Sequence, residues 1–126
     1  MKRINLEELN LKTFTEQDAL DYCQLNSINH DSIIGLNLYN NYLTDISGIK
    51  LFKNTERLNL WNNELTDISV IHYLNNLEYL DIENLELESD QIEYIKNKKL
   101  DILYCPGGFK DMSVLNQLKN VKIHKI

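Results

Sequence analysis

A chain of 126 residues, 43% hydrophobic and 25% charged, is long enough to bury one core but not two, so a single ordinary globular domain is expected. Thirteen basic against nineteen acidic residues leave a net charge of −6, which argues against a direct nucleic-acid or anionic-membrane binder and fits a basic protein partner. No stretch approaches ~18 apolar residues, and "MKRINLEELN" lacks the apolar run of a signal peptide, so a cytoplasmic protein that spans no membrane is expected.

The first predicted element is a helix over residues 16–26. Thr15 stands at its N-cap with Asp18 three positions on, and Ala19, Leu20, Tyr22 and Cys23 follow at helical spacing. Residues 1–32 are read as an N-terminal cap whose helix shields the first strand. From residue 33 a period of 22 takes over: "LNLYNNYLTDIS" (36–47) returns as "LNLWNNELTDIS" (58–69) with ten of twelve letters unchanged. Steps of 22 align Leu36, Leu58, Leu80 and Ile102; Leu38, Leu60, Ile82 and Tyr104; Asn41, Asn63, Leu85 and Gly107; and Leu43, Leu65, Leu87 and Phe109. Residues 33–120 make about four such units. The fourth unit admits a second register built on Leu100, Ile102 and Cys105. The third replaces its LTDIS phrase with "LESDQIEYIKNKK", which predicts a helix over 90–97 with Ser89 as cap and Ile92 and Ile95 facing inward. The tail "LKNVKIHKI" predicts a terminal edge strand over 121–126, with lysines that discourage pairing with another chain.

An LxL alternation makes a short strand whose leucines point to one side. Stacked copies bury what a single copy leaves exposed, and stability is then shared between neighbouring coils. An inward asparagine at the turn both donates to and accepts from loop backbone, which makes an amide tolerable in an interior column. The phrases at 36–47 and 58–69 resemble the 22-residue leucine-rich repeats of the bacterial internalin type over roughly residues 33–120. That resemblance implies an α/β leucine-rich repeat solenoid with a parallel concave β-sheet and short, often 3₁₀, convex segments, to which the predicted helix adds a helical N-terminal cap. Leu85 and Gly107 depart from the ladder asparagine. Internalins carry a signal sequence and a surface anchor, and the resemblance is not expected to extend to these.

Chemistry-bearing clusters are not found in the sequence. His30, His72 and His124 fall at unrelated repeat positions, "PGG" at 106–108 is too short for a phosphate loop, and the acidic run from Glu78 to Glu93 lacks calcium-loop spacing. Cys23 and Cys105 read as reduced, packed thiols. No catalytic residue, cofactor, metal or disulfide is expected, and the chain is not expected to be an enzyme.

The outward strand positions carry the information. In this register they form three rows: Gly35, Arg57, Tyr79 and Asp101; Asn37, Asn59, Asp81 and Leu103; Tyr39, Trp61, Glu83 and Cys105. Neighbours in a row sit about 4.8 Å apart, so Tyr39 and Trp61 should stack, with the chain's only tryptophan aimed at solvent. Tyr39, Trp61 and Tyr79 together are of the residue types enriched in binding hot spots. The partner-binding set is therefore Tyr39, Trp61, Tyr79, Asp81, Glu83, Asn37, Asn59, Arg57 and Asp101. Acidic residues crowd the stretch from Leu58 to Ile95, which holds no Lys or Arg, and this suits a basic groove on the partner. The expected function is that of a cytosolic immunity or inhibitor protein, an antitoxin occluding the active site of a basic bacterial toxin such as a nuclease. An adaptor or effector engaging a host or signalling protein is the alternative.

Overall fold

The computed structural model of the chain describes residues 2–126. Six three-residue strands run in chain order through one all-parallel sheet: β1 (Arg3–Asn5), β2 (Gly35–Asn37), β3 (Arg57–Asn59), β4 (Tyr79–Asp81), β5 (Ile102–Tyr104) and β6 (Lys122–His124). Parallel neighbours require a crossover. After β1 the crossover contains a helix, α1 (Glu16–Leu25), followed by a 3₁₀ turn at His30–Ser32; after β2 to β5 it is a single 3₁₀ segment, at Ser47–Leu51, Ser69–Tyr73, Ser89–Tyr94 and Met112–Gln117. Such short, repeating strand–helix units on one open parallel sheet are compatible with a repeat solenoid. Among the described residues no helix is long and apolar enough to cross a membrane.

Each unit is written in its side chains. The central strand residues Ile4, Leu36, Leu58, Leu80 and Leu103 are buried, as are Leu6, Leu38, Leu60, Ile82 and Cys105 two positions on. Each buried aliphatic side chain contributes roughly 1.5–3 kcal/mol relative to exposure. The chain then turns through a left-handed residue at the same place in five coils, Glu8, Asn40, Asn62, Asn84 and Gly107, with φ of 57°, 55°, 56°, 60° and 62°. Asparagine and glycine enter that region at least cost, which explains the first Asn of each "NN". The second turns inward. Asn63 donates to the carbonyls of Leu38 and Leu60, both at 3.0 Å, and its Oδ1 accepts from the Leu43 N–H at 3.0 Å. Asn41 does the same one coil earlier, accepting from Leu9 and Leu11 at 3.0 and 2.9 Å. The LTDIS phrase starts the return: Asp45, Asp67 and Asp111 accept from the N–H groups of Ser47, Ser69 and Ser113 at 2.9, 2.7 and 3.0 Å.

Three expectations are corrected. The helix over 16–26 is present as Glu16–Leu25 with a capping box between Thr15 and Asp18, but it does not shield the first strand. β1 is outermost, and α1 belongs to the return of the first coil, packed on Ser47–Leu51. There the Gly48 N–H donates to the Phe14 carbonyl at 2.7 Å, and the Phe14 and Phe52 rings stack at 6.1 Å. The ten-residue helix lengthens this coil, and Ile4 pairs with Leu36 rather than with a residue one period away. The third return is a 3₁₀ segment at Ser89–Tyr94, not a helix over 90–97, and Ser89 lies within it rather than capping it; Ile92 and Ile95 are buried as expected. Lastly, β5 enters one residue late. Leu80 faces Leu103 and Tyr79 faces Ile102, while Leu87 bridges Phe109 in the original period. The extra residue is absorbed before β5 and returned at the Pro106–Gly108 turn. In the first sequence register Ile102 and Tyr104 faced inward, whereas both face outward here, and the second register misplaced Ile102 in the same way.

Candidate protein-binding face

The outward side chains form rows across the sheet. Register places Arg3, Gly35, Arg57, Tyr79, Ile102 and Lys122 in the first row, and Asn5, Asn37, Asn59, Asp81, Tyr104 and His124 in the second. The third continues past the strand ends as Glu7, Tyr39, Trp61 and Glu83, set by the ladder bonds Glu8 N–H to Tyr39 O, Asn40 N–H to Trp61 O and Asn62 N–H to Glu83 O.

Eight of the nine residues expected at a binding site fall in these rows. Tyr39 and Trp61 meet with ring centroids 5.4 Å apart and planes tilted by 38°. Both are half-buried, so Trp61 lies along the face rather than projecting into solvent. Its Nε1 is covered and without a hydrogen-bond partner, as is Oδ1 of Asn37; such groups cost about 1–3 kcal/mol each. Arg57 lays its guanidinium over the Tyr79 ring at 4.3 Å. Burial pushes the Tyr39 hydroxyl pKa up, with the charges of Glu7 and Glu8 adding to it. Burial also raises that of Tyr79, helped by Asp81.

Asp81 is the unusual member. It occupies the column of Asn37 and Asn59, and its Oδ1 accepts the Glu83 N–H at 2.9 Å as Asn59 accepts that of Trp61 at 3.0 Å. Yet it is only 7% exposed, and burial pushes its carboxyl up to about 6. None of the ion pairs among the described residues involves a side chain of these three rows. Asp81, Glu83, Arg3 and Arg57 therefore all stand without an ionic partner.

Asp101 is the exception. It precedes β5, exposed, its N–H bonded to the Glu78 carbonyl and its carbonyl to the Lys122 N–H, both at 2.9 Å. The one-residue shift removes it from the face, sends Leu103 and Cys105 inward, and brings out Ile102 and Tyr104. Tyr104 stacks on His124 at 5.4 Å. Arg3, Asn5 and Glu7 were missed as well, although "INL" at 4–6 repeats the "LNL" of 36–38 and 58–60 and signals the strand.

The rows divide the face by charge. Arg3, Arg57 and Lys122 make the first row basic, whereas Glu7 and Glu83 make the third acidic, with Asp81 between them. No family model matches the chain, and no curated protein matches it.

Proposed function

We propose that the chain is a leucine-rich repeat module of the internalin-repeat type that binds another protein through the concave face of its sheet. Its role in this reading is that of a cytosolic immunity protein, which occludes the active site of a basic toxin of the nuclease class. The observation that carries the reading is the Tyr39–Trp61 pair, centroids 5.4 Å apart, with Glu7 and Glu83 on either side in its row and the buried, unpaired Asp81 beside it. Paired aromatics supply large apolar area at small entropic loss. Carboxylates without an ionic partner are poised to accept Lys or Arg side chains, and Asp81 gains most, because a cation brought to it would offset a desolvation already incurred in the free protein. Inhibition by occlusion needs shape and charge, not a reacting group.

Co-expression with the product of the adjacent gene tests the role. The neighbour should be toxic alone, tolerated with this chain, and recovered in a stoichiometric complex; a non-toxic neighbour that does not bind ends the immunity reading. Within the complex, Trp61→Ala should cost about 2 kcal/mol or more in affinity with the fold retained.

A further inference from the structure

The chain has only two arginines, Arg3 and Arg57, and the fold places both in the first row, on β1 and β3, with Gly35 of β2 between them. Gly35 is what makes the site. A Cβ there would lie 2.9 Å from Arg3 Cγ and 3.4 Å from its Cδ, so the Arg3 stem rests where any other residue would carry a side chain, drawn off β1 and over β2. Arg57 is held from the other side by the Tyr79 ring at 4.3 Å. Stacking uses the face of a guanidinium and leaves its edge N–H groups free for a carboxylate. A cavity of about 380 Å³ is lined by both, together with Gly35, Asn5, Asn37 and Asn59. Neither arginine has an acidic partner among the described residues, although the protein carries six more acidic than basic groups.

Building on the reading of this face as a docking surface, we infer that the notch over Gly35, between Arg3 and Arg57, is a carboxylate-accepting subsite that takes an Asp or Glu side chain of the protein partner. Both arginines line the one cavity, and a carboxylate seated in it would accept charge-assisted, directional bonds from their N–H groups. The partner is then bipolar. Its basic groove lies over Glu7, Asp81 and Glu83, and an acidic side chain reaches the opposite margin of the sheet, which fixes one docking direction out of two.

The test needs no partner, since two arginines give two Nε–Hε resonances in the ¹⁵N-labelled full chain. Titration with N-acetyl-glutamate N-methylamide should move both along one saturation curve, and the matching glutamine amide should move neither. Arg57→Gln, an exposed position, should abolish the saturable shift at Arg3, and Gly35→Ala should weaken it by displacing the Arg3 stem. Movement of one arginine alone, an equal response to the glutamine amide, or saturation by inorganic phosphate at far lower concentration would each overturn the assignment. A positive titration alongside an unaffected Trp61→Ala complex keeps the subsite and removes the docking reading. A flat titration alongside a weakened Trp61→Ala complex does the reverse.

Discussion

At the scale of single residues, Asp81 and Asn59 differ by one atom and do the same local work, since each accepts the N–H two residues ahead. Only Asp81 is charged above its pKa of about 6. Its carboxyl titrates higher in the folded chain than in the unfolded one, where the ordinary value is 3.8. The folded state is therefore favoured below about pH 4 and loses that advantage as pH rises through about 6. At neutral pH the charge destabilises the fold, and Asp81→Asn should raise stability by about 2 kcal/mol. Denaturant titrations at pH 4.5 and 7.5 check this, with the gain expected at the higher pH and much reduced at the lower. A residue that costs stability and has no ionic partner is where function is to be sought, so the same substitution should weaken the complex while strengthening the fold. The 22-residue spacing puts Asp81 in its column, but spacing alone does not reveal that this position is only 7% exposed.

At the scale of elements, one coil is joined to the next by amides and by close backbone approach. Asn41, 4% exposed, serves the N–H groups of Leu9 and Leu11 and the carbonyls of Leu6 and Leu38. Asn41→Ala leaves these buried groups unpaired, and a loss of about 3 kcal/mol is expected in equilibrium unfolding. Gly48 is equally constrained, because a Cβ there would meet the Thr15 carbonyl oxygen at 2.3 Å and that of Phe14 at 2.7 Å. Backbone cannot yield as a side chain does, so Gly48→Ala should part α1 from the Ser47–Leu51 segment and cost about 1–3 kcal/mol, with amide exchange accelerating first in α1. The middle coils were legible because "LNLYNN" and "LNLWNN" hold strand, left-handed turn and ladder in fixed places. The first coil hid behind its longer return, and β5 behind a single inserted residue. The Gly107 position is what betrays that insertion: it continues the left-handed column of Asn84, not the ladder column of Asn63.

At the scale of the whole molecule, a net charge of −6 describes the protein less well than its distribution does. One margin of the sheet carries Arg3, Arg57 and Lys122, the other Glu7 and Glu83, and the aromatic pair lies toward the acidic side. Affinity for a basic partner should fall with ionic strength, mainly through slower association, and binding kinetics at low and high salt measure that. The repeat period and the aromatic pair were visible in the sequence. The polarity of the face was not, because two of its five charges, Arg3 on β1 and Glu7 just beyond it, lie outside the 22-residue period. Docking through the aromatic pair is tested most directly by the dissociation constant of the purified complex for the wild type, for Trp61→Ala, and for Tyr73→Ala on an exposed return segment. A partner docked on the Tyr39–Trp61 pair should bind at least about thirtyfold more weakly to Trp61→Ala and be unaffected by Tyr73→Ala; equal constants for all three proteins, each folded, would place the binding site elsewhere.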